Sequence, residues 1–310
     1  MIDILGRMSP LLILILFGYI LQRTQYFEEV SYKRLLHFTL TFVIPCLLFT
    51  TFMDMQFQPR YALVSVVYIG FMALLLAAGF LLQKLFKFKH RFFPLILTGF
   101  GFGVVGLPLF VTMFGIERAH YMAVLGVGHE VFVALVYLPF SRMYLSGEKF
   151  SIRNVIKHPF LIMVSLALFV RLTGMEWLLT DNMLGVGIFS AIRGLGGMTL
   201  VIAMILVGYR LRFNDKATIK ISVLYYSLRL AAVLAIGIPF MLLVISPVTA
   251  GSVMFNHAFM ILSLTHSSIA VIALVGNYCP KEDQVIINNV FVLSVITGFV
   301  LFFLYMVLFV

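Results

Sequence analysis

Ten apolar runs follow one another along this chain, at about residues 9–22, 34–52, 62–82, 92–113, 121–144, 159–172, 186–209, 222–245, 252–277 and 285–310. Most are long enough to cross roughly 30 Å of hydrocarbon. Inside a bilayer every backbone polar group must find its partner within the protein, which leaves helices or a closed barrel. Runs of this length and apolarity give the expected class as an all-α integral membrane protein. With 62% hydrophobic and only 11% charged residues and a mean hydropathy of +1.10, nearly the whole chain reads as membrane domain. The first run is followed at once by others and reads as a span rather than a cleaved leader.

The net charge of +10 is a property of loops, not of a nucleic-acid surface. Sixteen of the 22 Lys and Arg fall in alternate connections: after run one (Arg23, Lys33, Arg34), three (Lys84, Lys87, Lys89, Arg91), five (Arg142, Lys149, Arg153, Lys157), seven (Arg210, Arg212, Lys216, Lys220) and nine (Lys281). The other connections hold Arg60 and Arg118. By the positive-inside rule the basic loops are cytoplasmic. Both termini are then outside a plasma membrane crossed ten times. Ten spans divide into repeats at 1–145 and 159–310, joined by a cytoplasmic linker at 146–158. An odd number of spans per half inverts the second repeat relative to the first.

The fourth run contains Gly99, Gly101, Gly103, Gly106 and Pro108. Each interior glycine costs about 1 kcal/mol of helix propensity and proline about 3. A span so weakened is either a close helix crossing built on small residues or the broken helix of a carrier. Its partner by inverted symmetry is the ninth run, which carries the polar stretch Leu264-Thr265-His266-Ser267-Ser268. The matched spacings, Gly103 to Gly115 and His266 to Tyr278, suggest that both spans break at mid-depth and cross. Gly106, Pro108 and, in the second run, Pro45 are the expected points of structural break. Half-helix N-termini are partly positive and C-termini partly negative, so such a crossing can hold an anion and a cation.

Few ionisable residues lie inside the runs. Glu130, beside His129, is the one acid well within a span. It suits a proton carrier or a structural hydrogen bond. On a helix its neighbour His129 points about 100° away. His266 sits at the expected ninth-span break, where an imidazole can bind substrate, carry a proton or satisfy freed carbonyls. Arg193 is a candidate contact for an anionic substrate, or a partner of Glu130, or a snorkelling surface residue. Arg229, two turns in from the basic side, reads as a snorkelling residue. Phosphate-loop, HExxH and TVGYG motifs are absent, as is any Cys/His cluster. No catalytic residue, metal or cofactor is therefore assigned. Cys46 lies in a span and Cys279 in a turn, which does not suggest a disulfide.

With those residues in hand, the chain resembles the auxin efflux carrier family, in particular its bacterial malonate and malate permease-like members. The likeness rests on Leu16-Phe17-Gly18-Tyr19-Ile20-Leu21, Val43-Ile44-Pro45-Cys46-Leu47-Leu48-Phe49, Gly106-Leu107-Pro108-Leu109, Arg229-Leu230 and Asn277-Tyr278. The resemblance implies ten spans in two inverted five-helix repeats. It implies a scaffold of spans one, two, six and seven that often forms homodimers, and a transport domain holding the crossing of spans four and nine. It also implies elevator-like movement of a small organic anion. Residue by residue it places Gly101, Phe102, Gly103, Thr265, His266 and Ser267 around the substrate. Two departures stand out: Gly101 where the family has asparagine and His266 where it has proline. The expected function is a secondary carrier of a small carboxylate, coupled to a proton through Glu130 or His266. The alternatives are a non-transporting sensor or partner subunit, a sodium-coupled symporter using Thr265, Ser267 and Ser268, and a passive channel.

Overall fold

The computed structural model describes residues 2–54, 58–147, 159–211, 218–267 and 278–309. Most of the expected linker and the far arm of the ninth run, with Ser268 and Asn277, lie outside the described residues. Among the described residues fourteen α-helices of five residues or more carry the fold. They are α1 (Ile2–Arg23), α2 (Glu29–Phe38), α3 (Ile44–Asp54), α4 (Pro59–Phe86), α5 (Phe93–Leu97), α6 (Leu107–Phe114), α7 (Ala119–Phe132), α8 (Leu138–Ser146), α9 (Pro159–Leu172), α10 (Met183–Gly197), α11 (Thr199–Arg210), α12 (Ile219–Phe240), α13 (Val253–Leu264) and α14 (Lys281–Phe309). Six continuous helices among the described residues are long and apolar enough to cross a membrane: Glu29–Asp54, Pro59–Phe86, Ile116–Ser146, Met183–Arg210, Ile219–Val248 and Lys281–Phe309. Shorter apolar helices cover Phe102–Phe114, Ile162–Leu172 and Val253–Leu264.

Several long helices are continuous only because of a widened turn, and the sequence supplies the cause. π-Helical turns occupy Thr39–Val43, Phe102–Gly106, Val133–Tyr137 and Met241–Ile245. In each, the N–H of the next residue reaches back five positions: Ile44 to Thr39, Leu107 to Phe102, Leu138 to Val133, and Ser246 to Met241. The residue after that is always proline: Pro45, Pro108, Pro139 and Pro247. Proline has no N–H, and its ring collides with the carbonyl four residues back. The turn before it widens instead of breaking.

The helices pack as two groups. In one, α1 lies along α11, and α3 is flanked by α9 and α10. In the other, α4 contacts α5 and α7, while α12 contacts α14 and α13. The first group draws helices from both halves of the chain, so the halves interleave rather than stand side by side. One continuous buried apolar core runs through both groups. The π turn at Phe102–Gly106 belongs to the second group and touches α11 of the first, which puts the irregular backbone at the boundary between the two.

Candidate functional site

Two helices stop inside the protein and meet end to side. After α5, Thr98 is extended (φ −113°, ψ 158°), Gly99 takes φ +86° and Gly101 has φ −79°, ψ 51°. After α13, Thr265 is extended at φ −69°, ψ 163°. The two irregular segments form an isolated antiparallel bridge between Phe100 and Ser267. The Gly101 N–H is shared between the His266 carbonyl at 2.9 Å and Thr265 Oγ1 at 3.0 Å. The Thr98 hydroxyl donates to Met72 O at 2.9 Å. All these residues are buried, so a freed backbone group finds a protein partner wherever one is within reach, as burial demands. Sequence reasoning located the break in the fourth run but placed its pivot too late. Helix is lost over residues 98–101, whereas Gly106 and Pro108 are already inside the second helical arm. Pro45 opens α3, and a Cβ at Gly103 would lie 2.9 Å from the preceding Ile44 side chain.

His266 occupies the centre. Its ring lies over Gly101 so closely that a Cβ there would be 2.5 Å from Cε1 and Nε2. The large side chain on one span fills the room left by the missing one on the other. His266 Nδ1 is 2.6 Å from Ser267 O. A carbonyl only accepts, so Nδ1 carries the proton and the neutral ring offers Nε2 as an acceptor. Among the described residues nothing bonds to Nε2 or to Ser267 Oγ, although both are buried. Phe291 of α14 meets the ring edge-on at 4.7 Å. A void of about 10 Å³ beside His266, Thr265, Val105 and Ser294 has room for one water.

Arg229 corrects the sequence reading. It does not snorkel: it is 2% exposed. Its Nε donates to Ile96 O at 2.9 Å and its Nη2 to Thr265 O at 3.2 Å. Those carbonyls end α5 and close α13. The guanidinium also lies 5.3 Å from the Phe100 ring centre, and Tyr137 donates to the neighbouring Leu95 O at 2.8 Å. A buried cation thus caps two helix C-termini at once, where the dipoles favour positive charge. The signal available in the sequence was an arginine whose helical neighbours, Tyr225, Tyr226, Ala232 and Val233, include no acid to pair with.

His129 and Glu130 do not diverge as the ideal helix suggests. His129 Nδ1 lies 3.0 Å from Glu130 Oε1, and its Nε2 accepts the Phe100 N–H at 2.9 Å. The backbone donor fixes Nε2 as acceptor and Nδ1 as donor. Glu130 therefore holds the tautomer of a histidine that holds the break. Phe102 turns its ring onto α7, where a Cβ at Gly126 would be 2.0 Å away, so only its backbone faces the crossing. Arg193 pairs with Asp54, not with Glu130, its Nη2 lying 2.8 and 2.9 Å from the two carboxylate oxygens. Both side chains are more than half exposed, and they line a cavity of about 520 Å³ with Thr50, Thr51, Glu117 and His120. A second cavity of about 320 Å³ lies at the opposite ends of the 29–54 and 183–210 helices, lined by Glu29, Tyr32, Arg210, Lys281 and Asn288.

Residues 3–151 match the model of a family described as membrane transport protein. No curated protein matches the chain. The matched segment, just under half of the chain, holds the first five apolar runs, including the break at 98–101, and supports the resemblance to the auxin efflux carrier-like membrane transport proteins.

Proposed function

We propose that this protein is a secondary active carrier that moves a small organic anion, a carboxylate, together with a proton. Ten spans in two inverted repeats, basic loops inside and both termini outside the plasma membrane complete the reading. A homodimer scaffold and an elevator-like movement of the crossing belong to it as well. The observation that carries it is the Nε2 of His266, which has no partner among the described residues and is buried at the start of the 102–114 helix. The first N–H groups of a helix have no partner within it and form a positive pole for an anion. Val105 and Gly106 both donate to Gly101 O, so Phe102, Gly103 and Val104 are the positions at that pole.

The tautomer supplies the coupling. Because Nδ1–H is committed to Ser267 O, a carboxylate and Nε2 are two acceptors facing each other. They attract only when a proton lies between them, so anion and proton bind as a pair. Glu130 acts at the same break through His129, whose Nε2 accepts the Phe100 N–H, and is the second candidate for coupling the proton. Thr265 and Ser267 supply neutral polar contacts. Arg193 belongs to the outer cavity, where it attracts anions on approach.

In proteoliposomes, uptake of malonate or malate is expected to rise as the outside is made acidic, and His266→Ala is expected to lower it at least tenfold. Undiminished uptake in that variant, or uptake indifferent to a proton gradient, would refute the assignment. A sensor or partner subunit is the second reading, favoured by the single-water size of the void at His266. It predicts a carboxylate-dependent thermal shift with no flux.

A further inference from the structure

Helices that stop within a membrane protein present their C-terminal carbonyls as ligands, and carriers built on broken helices use such ends to coordinate a sodium ion or a proton. Here two such ends converge. The carbonyls of Ile96 and Thr265, from segments 169 positions apart, face one point, and the Arg229 guanidinium occupies it at 2.9 and 3.2 Å. Its remaining face is covered by the Phe100 ring. Among the described residues no carboxylate forms an ion pair with it. A buried charge ordinarily requires a counter-charge or strong dipoles. Carbonyl oxygens do that here, and oxygen ligands of this kind are what a hard monovalent cation would take.

We infer that Arg229 is a covalently tethered cation standing in a latent alkali-cation site, so that the crossing is held together without sodium. Its consequence for transport rests on the carrier reading; the site itself does not. An arginine stays protonated throughout the accessible pH range. The positive charge at the convergence of α5 and α13 is therefore permanent, and sodium has neither the space nor the field to bind there. The sodium-coupled alternative raised by Thr265 and Ser267 loses its site. The same charge lies beside Phe100, one residue from the Gly101 that His266 covers, where it favours an anion over a neutral ligand.

The test uses the purified full-length chain in nanodiscs, with thermal unfolding followed at constant ionic strength in sodium, potassium or N-methylglucamine chloride. The wild-type midpoint is expected to be the same in all three. Arg229→Ser should melt lower in N-methylglucamine and recover by roughly 2–4 °C in sodium or in millimolar guanidinium. Arg229→Lys should keep the wild-type indifference, which a merely space-filling role would not require. A saturable sodium stabilisation of the wild type would overturn the inference. So would Arg229→Ser responding to none of the cations. If that variant cannot be purified, wild-type uptake with sodium replaced on both sides decides: unchanged uptake supports the tethered cation, and a sodium requirement overturns it. Absence of any flux while Arg229→Ser still responds to cations would count against the carrier and leave the cation site standing.

Discussion

At Gly101 and His266 two positions far apart in sequence have exchanged sizes. A methyl at 101 would meet the imidazole at 2.5 Å, and neither backbone can retreat from the Phe100–Ser267 bridge. Gly101→Ala is therefore expected to destabilise the protein by about 1–3 kcal/mol. His266→Ala in the same chain should remove most of that penalty, a coupling that a double-mutant cycle of thermal stabilities reads directly. Additive effects would mean that the ring does not rest on Gly101. Both residues stood out in the sequence as departures from a family pattern, so their importance was legible. Their contact was not, because nothing in a single sequence ties residue 101 to 266. The same limit explains Arg229 and His129. Each bonds to backbone atoms of another span, Ile96 and Thr265 for one and Phe100 for the other. Backbone atoms leave no trace in residue identity.

The helices themselves were more legible. Apolar length gave the run at 62–82 as α4 and the run at 285–310 as α14, a few residues short at their polar ends. Such ends read as loop because Arg60, Lys84 and Lys281 are charged, yet a helix continues through them. Proline departs from expectation: at Pro45 and Pro108 it produces a π turn within a continuing helix rather than a break. The real break, at Thr98–Gly101, comes where the two irregular segments can satisfy each other. Between elements, α1 and α11 form a close seam. A Cβ at Gly18 would fall 2.1 Å from Ile205 O, and one at Gly208 would fall 1.9 Å from Ile15 O. Small residues that let backbones approach in this way are a source of helix association in lipid. Gly208→Ala should push α1 away and cost about 1–3 kcal/mol or more. Circular dichroism melts in detergent should show the loss, and an unchanged midpoint would mean that the seam is loose.

For the molecule as a whole, the sequence predicted helical membrane architecture and transport, and the family match bears out both in general terms. The resemblance implied a scaffold of spans one, two, six and seven, and the first packing group, α1, α3, α9, α10 and α11, draws on the same spans from both halves. Orientation can be read at Cys279, half-buried in the turn ahead of α14, since the other cysteine, Cys46, is buried within α3. Burial, helped by the Asp283 carboxylate, pushes the Cys279 thiol up to about 11. Only the thiolate reacts, so labelling by an impermeant maleimide should be slow at neutral pH and quicken about tenfold per pH unit up to that value. With basic loops inside, it should occur in inside-out vesicles and not in right-side-out ones; the reverse would invert the topology. The α1–α11 seam bears on biogenesis. Residues 15 and 18 find their mates only at 205 and 208, so on the ribosome the opening helix enters the bilayer long before its mate has been synthesised. Until two thirds of the polypeptide has emerged, that helix is surrounded by lipid or insertion machinery alone, and a nascent chain arrested before residue 208 presents it unmated to quality control.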